Sequence, residues 1–264
     1  MVLSDGLRYD TAIASMGYLG HLVDAKLASL YKVIGELPSM SRPMYETIHT
    51  GLTASEHGIV SNLVVRRSTQ PNVFHSAVEA GKTTAAAAYY WFSELYNHAP
   101  FDRIDDCEVD DVSLFIQHGR FYTQDEFPDI DLFATGANLA RKYNPDYLLI
   151  HPMGMDHSGE TFGAESGEYK HQAGRQDVWM APLIVEWLER GYIILITGDH
   201  GMNAFGHHGG TLSDVREVPL FLIGQNLVGK GDTKEVISQL QIAPTICKLL
   251  DINIPKSMKQ APIV

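Results

Sequence analysis

The chain has 264 residues, of which 45% are hydrophobic and 20% are charged, so it is long enough for one large α/β domain with a substantial core. Its formal net charge is −12, and the absence of any Lys/Arg run argues against a nucleic-acid polymer as partner. An acidic chain can still hold a phosphate ester if divalent cations bind between clustered carboxylates.

Apolar runs of strand length recur along the chain, and each is followed by a polar or glycine-rich turn and a helix-like segment. The runs are Val2 to Leu3, Ala28 to Ile34, Thr83 to Ala88, Tyr147 to Ile150, Tyr192 to Thr197 and Val218 to Ile223. This alternation predicts an α/β fold with a mostly parallel central sheet and helices on both faces. No repeat, low-complexity tract or linker interrupts the pattern, so we expect residues 1–264 to form a single domain.

The spacing of apolar residues predicts helices over Asp131 to Lys142, Asp177 to Arg190 and Ile242 to Leu250. Pro182 interrupts the second of these segments and leaves its start open. A further helix is predicted from Pro43 to Gly51, because helices often start with proline and end with glycine.

Two features of the sequence concern its environment. Cys107 and Cys247 form neither a disulfide framework nor a CxxC metal motif, so we expect reduced structural thiols. The first residues, MVLSDGLRYD, lack the basic and apolar regions of a signal peptide, and no window has the length of apolar sequence that a membrane span needs. We therefore expect a cytoplasmic protein without a membrane partner. No pattern indicates its oligomeric state.

Polar clusters follow three of the predicted strands. They comprise Asp5, then Asp156, His157 and Glu160, then Asp199 and His200, with His207 and His208 on the glycine-rich loop that follows. Ligands bind beyond the carboxyl ends of parallel strands, and carboxylate and imidazole groups suit zinc or manganese. A single Asp at a strand end is more often a turn former, which is the simpler reading of Asp5 alone. Together the clusters predict a metal site that can hold two ions.

A serine precedes the predicted helix that starts at Pro43. At a helix entrance the unpaired N–H groups and the positive end of the dipole suit a nucleophile or a bound phosphoryl oxygen. An N-cap serine is the alternative, and the spacing alone does not choose between Ser39 and Ser41.

Six segments occur in the order found in the alkaline phosphatase superfamily. They are SDGLRYD at 4–10, SRPMYETIHTGLTASEHGI at 41–59, MDHSGE at 155–160, GDHGM at 198–202, HGG at 208–210 and IAPTICKLLDINIP at 242–255. The chain most resembles the type I phosphodiesterase/nucleotide pyrophosphatase branch, and GDHGM, HGG and GMDHSG are also similar to segments of ethanolamine-phosphate transferases. This resemblance covers nearly the whole chain. It implies an alkaline phosphatase-like fold and a two-metal hydrolase of phosphate mono- or diesters.

The resemblance also implies roles for individual residues. In this family a Ser or Thr nucleophile lies ten residues before the Gly of a TG pair and twenty-one before an Asn, and Gly51 and Asn62 meet both intervals for Ser41 but not for Ser39. Ser41 and Asn62 would therefore be catalytic. The implied ligands of two divalent ions, zinc or manganese, are Asp5, Ser41, Asp199 and His200 for one ion and Asp156, Glu160 and His208 for the other.

Glu160 departs from the family pattern, which is usually DxxGH where this chain has DHSGE. A carboxylate in place of imidazole makes the site harder and favours manganese. His157 is an alternative ligand, but ethanolamine-phosphate transferases carry a histidine there beside the usual ligand, so we expect it to act indirectly. We assign Glu160 as the ligand, and His207 as a neighbour because His208 matches the HGG segment.

The resemblance implies that Ser41 attacks phosphorus and that water then hydrolyses a phosphoseryl intermediate, with Asn62 stabilising the phosphoryl oxygens. The aromatic run from Ala85 to Asp102 follows a predicted strand. Such runs more often fill a core than a pocket, yet related phosphodiesterases have aromatic residues in the comparable segment. Candidates for stacking on a small-molecule phosphoric ester are Tyr89, Tyr90, Trp91 and Tyr96.

Several other functions stay open. Sulfatases of the same superfamily use a C/S-x-P-x-R motif, and SRPMY at 41–45 fits its first four places but has Tyr45 instead of arginine. A phosphonate hydrolase or a phosphoryl-group transferase would have the same metal core. The alternative that is not an enzyme is a non-catalytic metal-binding module. The departure from the family pattern at Glu160 is an argument for it.

Overall fold

Nine strands form one sheet in the computed structural model, which describes residues 1–264. In chain order they are β1 Val2–Ser4, β2 Ala28–Ile34, β3 Thr84–Tyr89, β4 Glu108–Asp110, β5 His118–Tyr122, β6 Tyr147–Ile150, β7 Ile194–Gly198, β8 Glu217–Ile223 and β9 Gly231–Ser238. Their order in the sheet is β4-β5-β3-β6-β1-β7-β8-β2-β9. The strand β8 is antiparallel to both of its neighbours and β4 is antiparallel to β5, while the other pairs are parallel. The predicted mostly parallel sheet is confirmed.

Helices cover both faces of this sheet. They are α1 Tyr9–Ser15, α2 Gly17–Asp24, α3 Ser41–Thr50, α4 Ala54–His57, α5 Val73–Glu79, α6 Trp91–Tyr96, α7 Asp129–Tyr143, α8 Gly154–Phe162, α9 Gly167–Glu189, α10 Ser213–Arg216 and α11 Ile242–Leu249, with a 3₁₀ turn over Gln239–Gln241. Side chains of α1, α2, α7 and α9 enter one buried apolar cluster, and those of α3, α5, α6 and α11 enter another. None of the helices combines the length and apolar character that a membrane crossing requires.

Successive side chains of the central strands alternate between these two cores. Val2 belongs to the core under α9 and Leu3 to the core under α3. The alanines of β3 divide in the same way, with Ala85 and Ala87 on one face and Ala86 and Ala88 on the other. Since side chains of a strand point alternately to opposite faces, a strand buried on both sides is apolar at every position. This explains the continuous apolar runs in the sequence.

Three observed helices start earlier in the chain than predicted, and one of them is α7, which begins at Asp129 and not at Asp131. The long helix α9 begins at Gly167, not at Asp177, and its first turn is capped by the Ser166 hydroxyl, which accepts from the Tyr169 N–H at 3.1 Å. Pro182 lies inside it on the exposed side, where water can satisfy the carbonyl that proline leaves without a donor. The helix α3 begins two residues earlier than predicted and ends at Thr50, and the next residue, Gly51, caps it with a φ of 64°.

Glu46 lies on α3 and its side chain is fully buried between that helix and α6. Hydroxyl groups of Ser68 and Tyr96 donate to its carboxylate, the latter at 3.1 Å. Burial raises the pKa of Glu46 to about 7, because desolvation outweighs these hydrogen bonds. The folded chain therefore holds a proton on Glu46 that the unfolded chain loses at lower pH.

This buried carboxyl predicts a loss of stability toward alkaline pH. Its contribution is fully present below a pH of about 4.5 and is lost as the pH rises through about 7, a change on the order of 3 kcal/mol. The variant Glu46→Gln cannot ionise at this position. In urea unfolding, its free energy of unfolding relative to the wild type should therefore rise by that amount between pH 4.5 and pH 8. Glu126→Gln, at an exposed position, is the control. If the difference in free energy of unfolding between the wild type and Glu46→Gln stayed constant with pH, it would contradict the assignment.

Candidate metal centre

The carboxyl ends of three adjacent strands bring the predicted ligands together. In the sheet β1 lies between β6 and β7 and is parallel to both. Asp5 follows β1, Asp199 follows β7, and Asp156 lies in the first turn of α8, which follows β6. These three elements end at the same edge, so residues far apart in the chain share one site.

Asp5, Asp199 and His200 form the first group of possible ligands, with one ligand atom of each lying within 4.8 Å of the others. The His200 Nε2 atom is 3.3 Å from Asp5 Oδ1 and 3.4 Å from Asp199 Oδ2. All three side chains are fully buried. This is the donor set that a zinc or manganese ion prefers.

Asp156, His200 and His208 form a second group within the same distance of 4.8 Å. The Asp156 Oδ1 atom is 4.0 Å from Nε2 of His200 and 3.7 Å from Nε2 of His208. The two imidazole rings are stacked with their centroids 4.1 Å apart. His200 thus belongs to both groups, and the two candidate ion positions are neighbours.

Backbone groups orient the ligands. Nδ1 of His200 lies 2.9 Å from the Gly201 carbonyl and Nδ1 of His208 lies 3.2 Å from the Ser39 carbonyl. An N–H at Nδ1 donates to each carbonyl and leaves each Nε2 lone pair facing the carboxylates. The Gly6 N–H donates to Asp199 Oδ1 at 3.0 Å, which leaves Oδ2 for an ion.

Three buried carboxylate oxygens in this cluster have no hydrogen-bond partner. They are Asp5 Oδ1, Asp156 Oδ1 and Asp199 Oδ2. Buried polar atoms without a partner are costly and rare, and these three face the shared histidine. Divalent cations supply the positive charge and the coordination that the oxygens lack, so the residues fit the two ions that the family resemblance implies.

Electrostatic interactions within the cluster are strong. Burial and the negative charge of Asp5 raise the pKa of Asp156 well above its usual range and that of Asp199 to about 6. Burial would lower the pKa of His200, but the charge of Asp199 and the contact with Asp5 raise it well above its usual value. Burial would raise the pKa of Asp5, but the neighbouring imidazoles of His151 and His200 lower it instead. A bound cation relieves the crowding of negative charge.

Ser41 is the first residue of α3, and its Oγ lies 3.2 Å from Nε2 of His200. The hydroxyl of Ser39 instead donates to the Gly210 carbonyl at 3.1 Å. The N–H of Arg42 donates to Oδ1 of Asn62 at 3.0 Å, so Nδ2 is the free end of that amide. The structure thus brings Ser41 and Asn62 to the helix entrance and turns Ser39 away.

Glu160 lies at the edge of this cluster. Its Oε1 is 3.3 Å from Nε2 of His208, and the side chain is 52% exposed. Neither group of close ligand atoms includes Glu160 or His157, and the latter is half-buried one residue after Asp156. His207 is exposed, in agreement with its expected place as a neighbour.

The four aromatic candidates differ in how deeply they are buried. Trp91 is half-buried, and the Arg42 guanidinium lies 4.4 Å from its ring centroid while also pairing with Glu94 at 2.7 Å. Tyr90 is half-buried, whereas Tyr89 is only 7% exposed. Tyr96 is 1% exposed, and its hydroxyl donates to Glu46 in the core. This placement argues against Tyr96 as a ring that stacks on a substrate.

Sequence reasoning missed two side chains that contact the cluster. The Tyr45 hydroxyl donates to Asp5 Oδ2, and Nε2 of His151 lies 3.2 Å from the same oxygen. His151 directly follows β6, so the rule that polar residues at strand ends meet at one site could have identified it. No comparable signal points to Tyr45, which is an apolar-face residue of α3.

Residues 1–217 match the family described as type I phosphodiesterase / nucleotide pyrophosphatase. The chain belongs to this family. The match covers all of the candidate ligands in both groups and the serine and asparagine at the helix entrance. Membership places the chain in the alkaline phosphatase superfamily, which confirms the resemblance seen in the sequence.

Curated relatives of this family member include proteins named GPI ethanolamine phosphate transferases. It is 34% identical over 283 residues to the human GPI ethanolamine phosphate transferase 3 catalytic subunit, a match that covers 97% of the chain and 24% of the relative. It is 22% identical over 290 residues to GPI ethanolamine phosphate transferase 2 of Debaryomyces hansenii, covering 97% and 31%. The chain thus spans about a quarter to a third of the length of these relatives.

Solved structures share its fold. Murine ectonucleotide pyrophosphatase/phosphodiesterase 5 superposes with a TM-score of 0.74 at 14% identity, covering 96% of this chain and 95% of that one. A phosphonate monoester hydrolase from Silicibacter pomeroyi gives a TM-score of 0.65 at 14% identity, covering 99% and 74%. The predicted alkaline phosphatase-like fold is confirmed.

Proposed function

We propose that the chain is a two-metal enzyme that hydrolyses phosphoric esters, with Ser41 as nucleophile. The observation that carries this proposal is the position of Ser41 Oγ, 3.2 Å from the histidine shared by the two ligand groups. A hydroxyl at that point can approach both candidate ion positions. Such a pair of positions suits an in-line displacement, in which the attacking and leaving oxygens both carry negative charge.

Two divalent ions held by these residues would supply Lewis acidity, lowering the pKa of the serine hydroxyl and neutralising charge on the phosphoryl group. Ser41 Oγ then forms a bond to phosphorus as the bond to the leaving alcohol breaks. Nδ2 of Asn62 binds a non-bridging oxygen, and the positive end of the α3 dipole favours negative charge at the same place. Water cleaves the phosphoserine in a second step and regenerates Ser41.

Asp5, Asp199 and His200 are the proposed ligands of one ion, joined by Ser41 Oγ. Asp156 and His208 are the proposed core of the other, and Glu160 completes it from the solvent side through a small movement of its exposed side chain. The mixture of imidazole and carboxylate ligands accommodates zinc or manganese, and the substitution of a carboxylate for the usual histidine favours manganese at this second position.

The variant Glu160→His tests this assignment. We expect it to raise the affinity for Zn²⁺ relative to Mn²⁺ by about tenfold, because imidazole is the softer ligand. Competition between the two metals, followed by metal analysis, measures the ratio. His157→Ala is the matched control, because His157 lies three residues before Glu160 on the same helix. Its ratio of Zn²⁺ to Mn²⁺ affinity should equal that of the wild type. An unchanged ratio in Glu160→His would show that residue 160 does not bind the ion.

A second candidate function is phosphoryl-group transfer to an alcohol. It is favoured by the 34% identity to a human enzyme whose name describes ethanolamine phosphate transfer. The same phosphoserine would serve both reactions, since water and an acceptor alcohol compete for it. Sulfate ester cleavage is less well supported, because Tyr45 occupies the place of the arginine in the sulfatase motif.

The test is a substrate panel with zinc and manganese supplied separately. Turnover of bis(p-nitrophenyl) phosphate or p-nitrophenyl phosphate, with no turnover of an aryl sulfate, would support the proposal. Adding an acceptor alcohol such as ethanolamine and measuring the ratio of transfer product to free phosphate distinguishes transferase from hydrolase. Stoichiometric metal without activity on any ester would instead indicate a non-catalytic metal-binding module.

A further inference from the structure

The two carboxylate oxygens of Asp5 lie in different surroundings. Oδ1 is 3.3 Å from Nε2 of His200 and has no hydrogen-bond partner. Oδ2 accepts a hydrogen bond from the Tyr45 hydroxyl and lies 3.2 Å from Nε2 of His151. One oxygen thus faces the candidate ion position, and the other is occupied by the protein itself.

Both groups that occupy Oδ2 are rigidly held. Tyr45 and His151 are fully buried, and their rings meet edge to face at 4.8 Å. The Tyr45 ring also stacks on Phe92 at 4.4 Å. The Tyr122 hydroxyl donates to the backbone carbonyl of His151 at 2.7 Å, which anchors the segment after β6. Neither side chain can leave Oδ2 without opening the packed core under α3 and α6.

We propose that Tyr45 and His151 are positioning residues that restrict Asp5 to a single coordinating oxygen. This inference rests on the proposed two-metal function, since it concerns a ligand of the first ion. A carboxylate with two free oxygens can bind an ion through one or both, and binding through both adds a coordination contact. Occupying Oδ2 prevents that contact and keeps a position on the ion open for the serine and substrate oxygens.

Tyr45 is also suited to this role because its side chain carries no charge. It stands where sulfatase-like motifs have arginine, and a guanidinium there would place a positive charge against Asp5. A phenol donates one hydrogen bond without a charge, so the carboxylate keeps its full negative charge for the cation. Tyr45, which argues against a sulfatase, therefore also suits tight binding of an ion at Asp5.

The variant Tyr45→Phe removes this donor and changes little else. We expect one of the two metal equivalents to bind about 10- to 100-fold more weakly in a chelator competition, while the other is unchanged. The absorption bands of bound Co²⁺ should also lose intensity, because a second oxygen of Asp5 raises the coordination number. Tyr96→Phe is the matched control, since Tyr96 is a buried tyrosine whose hydroxyl donates to the non-ligand Glu46. Wild-type affinity and spectrum in Tyr45→Phe would overturn the inference.

A second pair of variants keeps the test decisive if Tyr45→Phe fails to fold. His151→Gln retains an N–H donor and should bind metal nearly as the wild type does, whereas His151→Leu should lose affinity for the same equivalent. Equal affinities in the two variants would also overturn the inference. If the variants change metal affinity as expected but the wild type turns over no ester, the inference stands and the proposed function is refuted. A wild-type protein that binds no metal would refute both.

Discussion

Replacing Ser41 with alanine is expected to lower kcat for the best phosphate ester by at least about a thousandfold while both metal equivalents stay bound. The hydroxyl is the proposed nucleophile, and loss of a nucleophile removes the covalent route entirely. The metal should remain because three other residues form the first ligand group without the serine, all of them fully buried. Steady-state kinetics together with metal analysis on the same preparation separates the two effects.

Ser39→Ala is the matched control for this experiment. Ser39 is 1% exposed, lies two residues before Ser41, and uses its hydroxyl on a backbone carbonyl of the loop that carries His208. We expect that variant to lose stability or a few-fold in rate, but not the reaction. Normal turnover in Ser41→Ala, or an equal loss in Ser39→Ala, would rule out Ser41 as the nucleophile.

The second large effect is expected at His200. His200 is a proposed ligand of the first ion, so His200→Ala should lose the equivalent held with Asp5 and Asp199, whereas His208→Ala should lose only the other equivalent. In His200→Ala the buried carboxylates Asp5, Asp156 and Asp199 would face one another without the imidazole between them. Activity should fall below detection in His200→Ala, since the ion proposed to contact Ser41 Oγ would be missing.

Dialysis against a chelator of intermediate strength, followed by metal analysis, measures the equivalents in each variant. His207→Ala provides the control, because its imidazole is exposed and lies outside both groups. If His200→Ala retained both equivalents at wild-type affinity, His200 would not be a ligand of the first ion.

The sequence predicts the site better than it predicts the borders of the sheet. Asp5 and Asp199 are predicted to meet because each follows a strongly apolar strand, and β1 and β7 are adjacent in the sheet. The strands β4, β5 and β9 are not predicted, because they lack the apolar run of a central strand. The strands β4 and β9 lie at the two edges of the sheet, and β5 is the second strand from one edge.

Other contacts depend on packing that no local pattern encodes. Tyr45 and Asp5 are separated by 40 positions, and their hydrogen bond requires α3 to lie against β1 at one particular height. Glu160 is a similar case, since its distance from the ligand cluster depends on where α8 packs relative to the loop that carries His208. The family resemblance supplies the residue type expected at 160, but the geometry of that position comes only from the fold.

The reversed direction of β8 has a consequence for how this site can change in evolution. Since β7 and β8 are antiparallel neighbours, the chain leaves and re-enters the sheet at the same edge, and residues 199–216 never cross to the far side. This one connection between β7 and β8 carries both His200, which belongs to both ligand groups, and His208. Insertions between those two histidines could therefore diversify the substrates accepted by related enzymes without disturbing any crossover helix or the order of the strands.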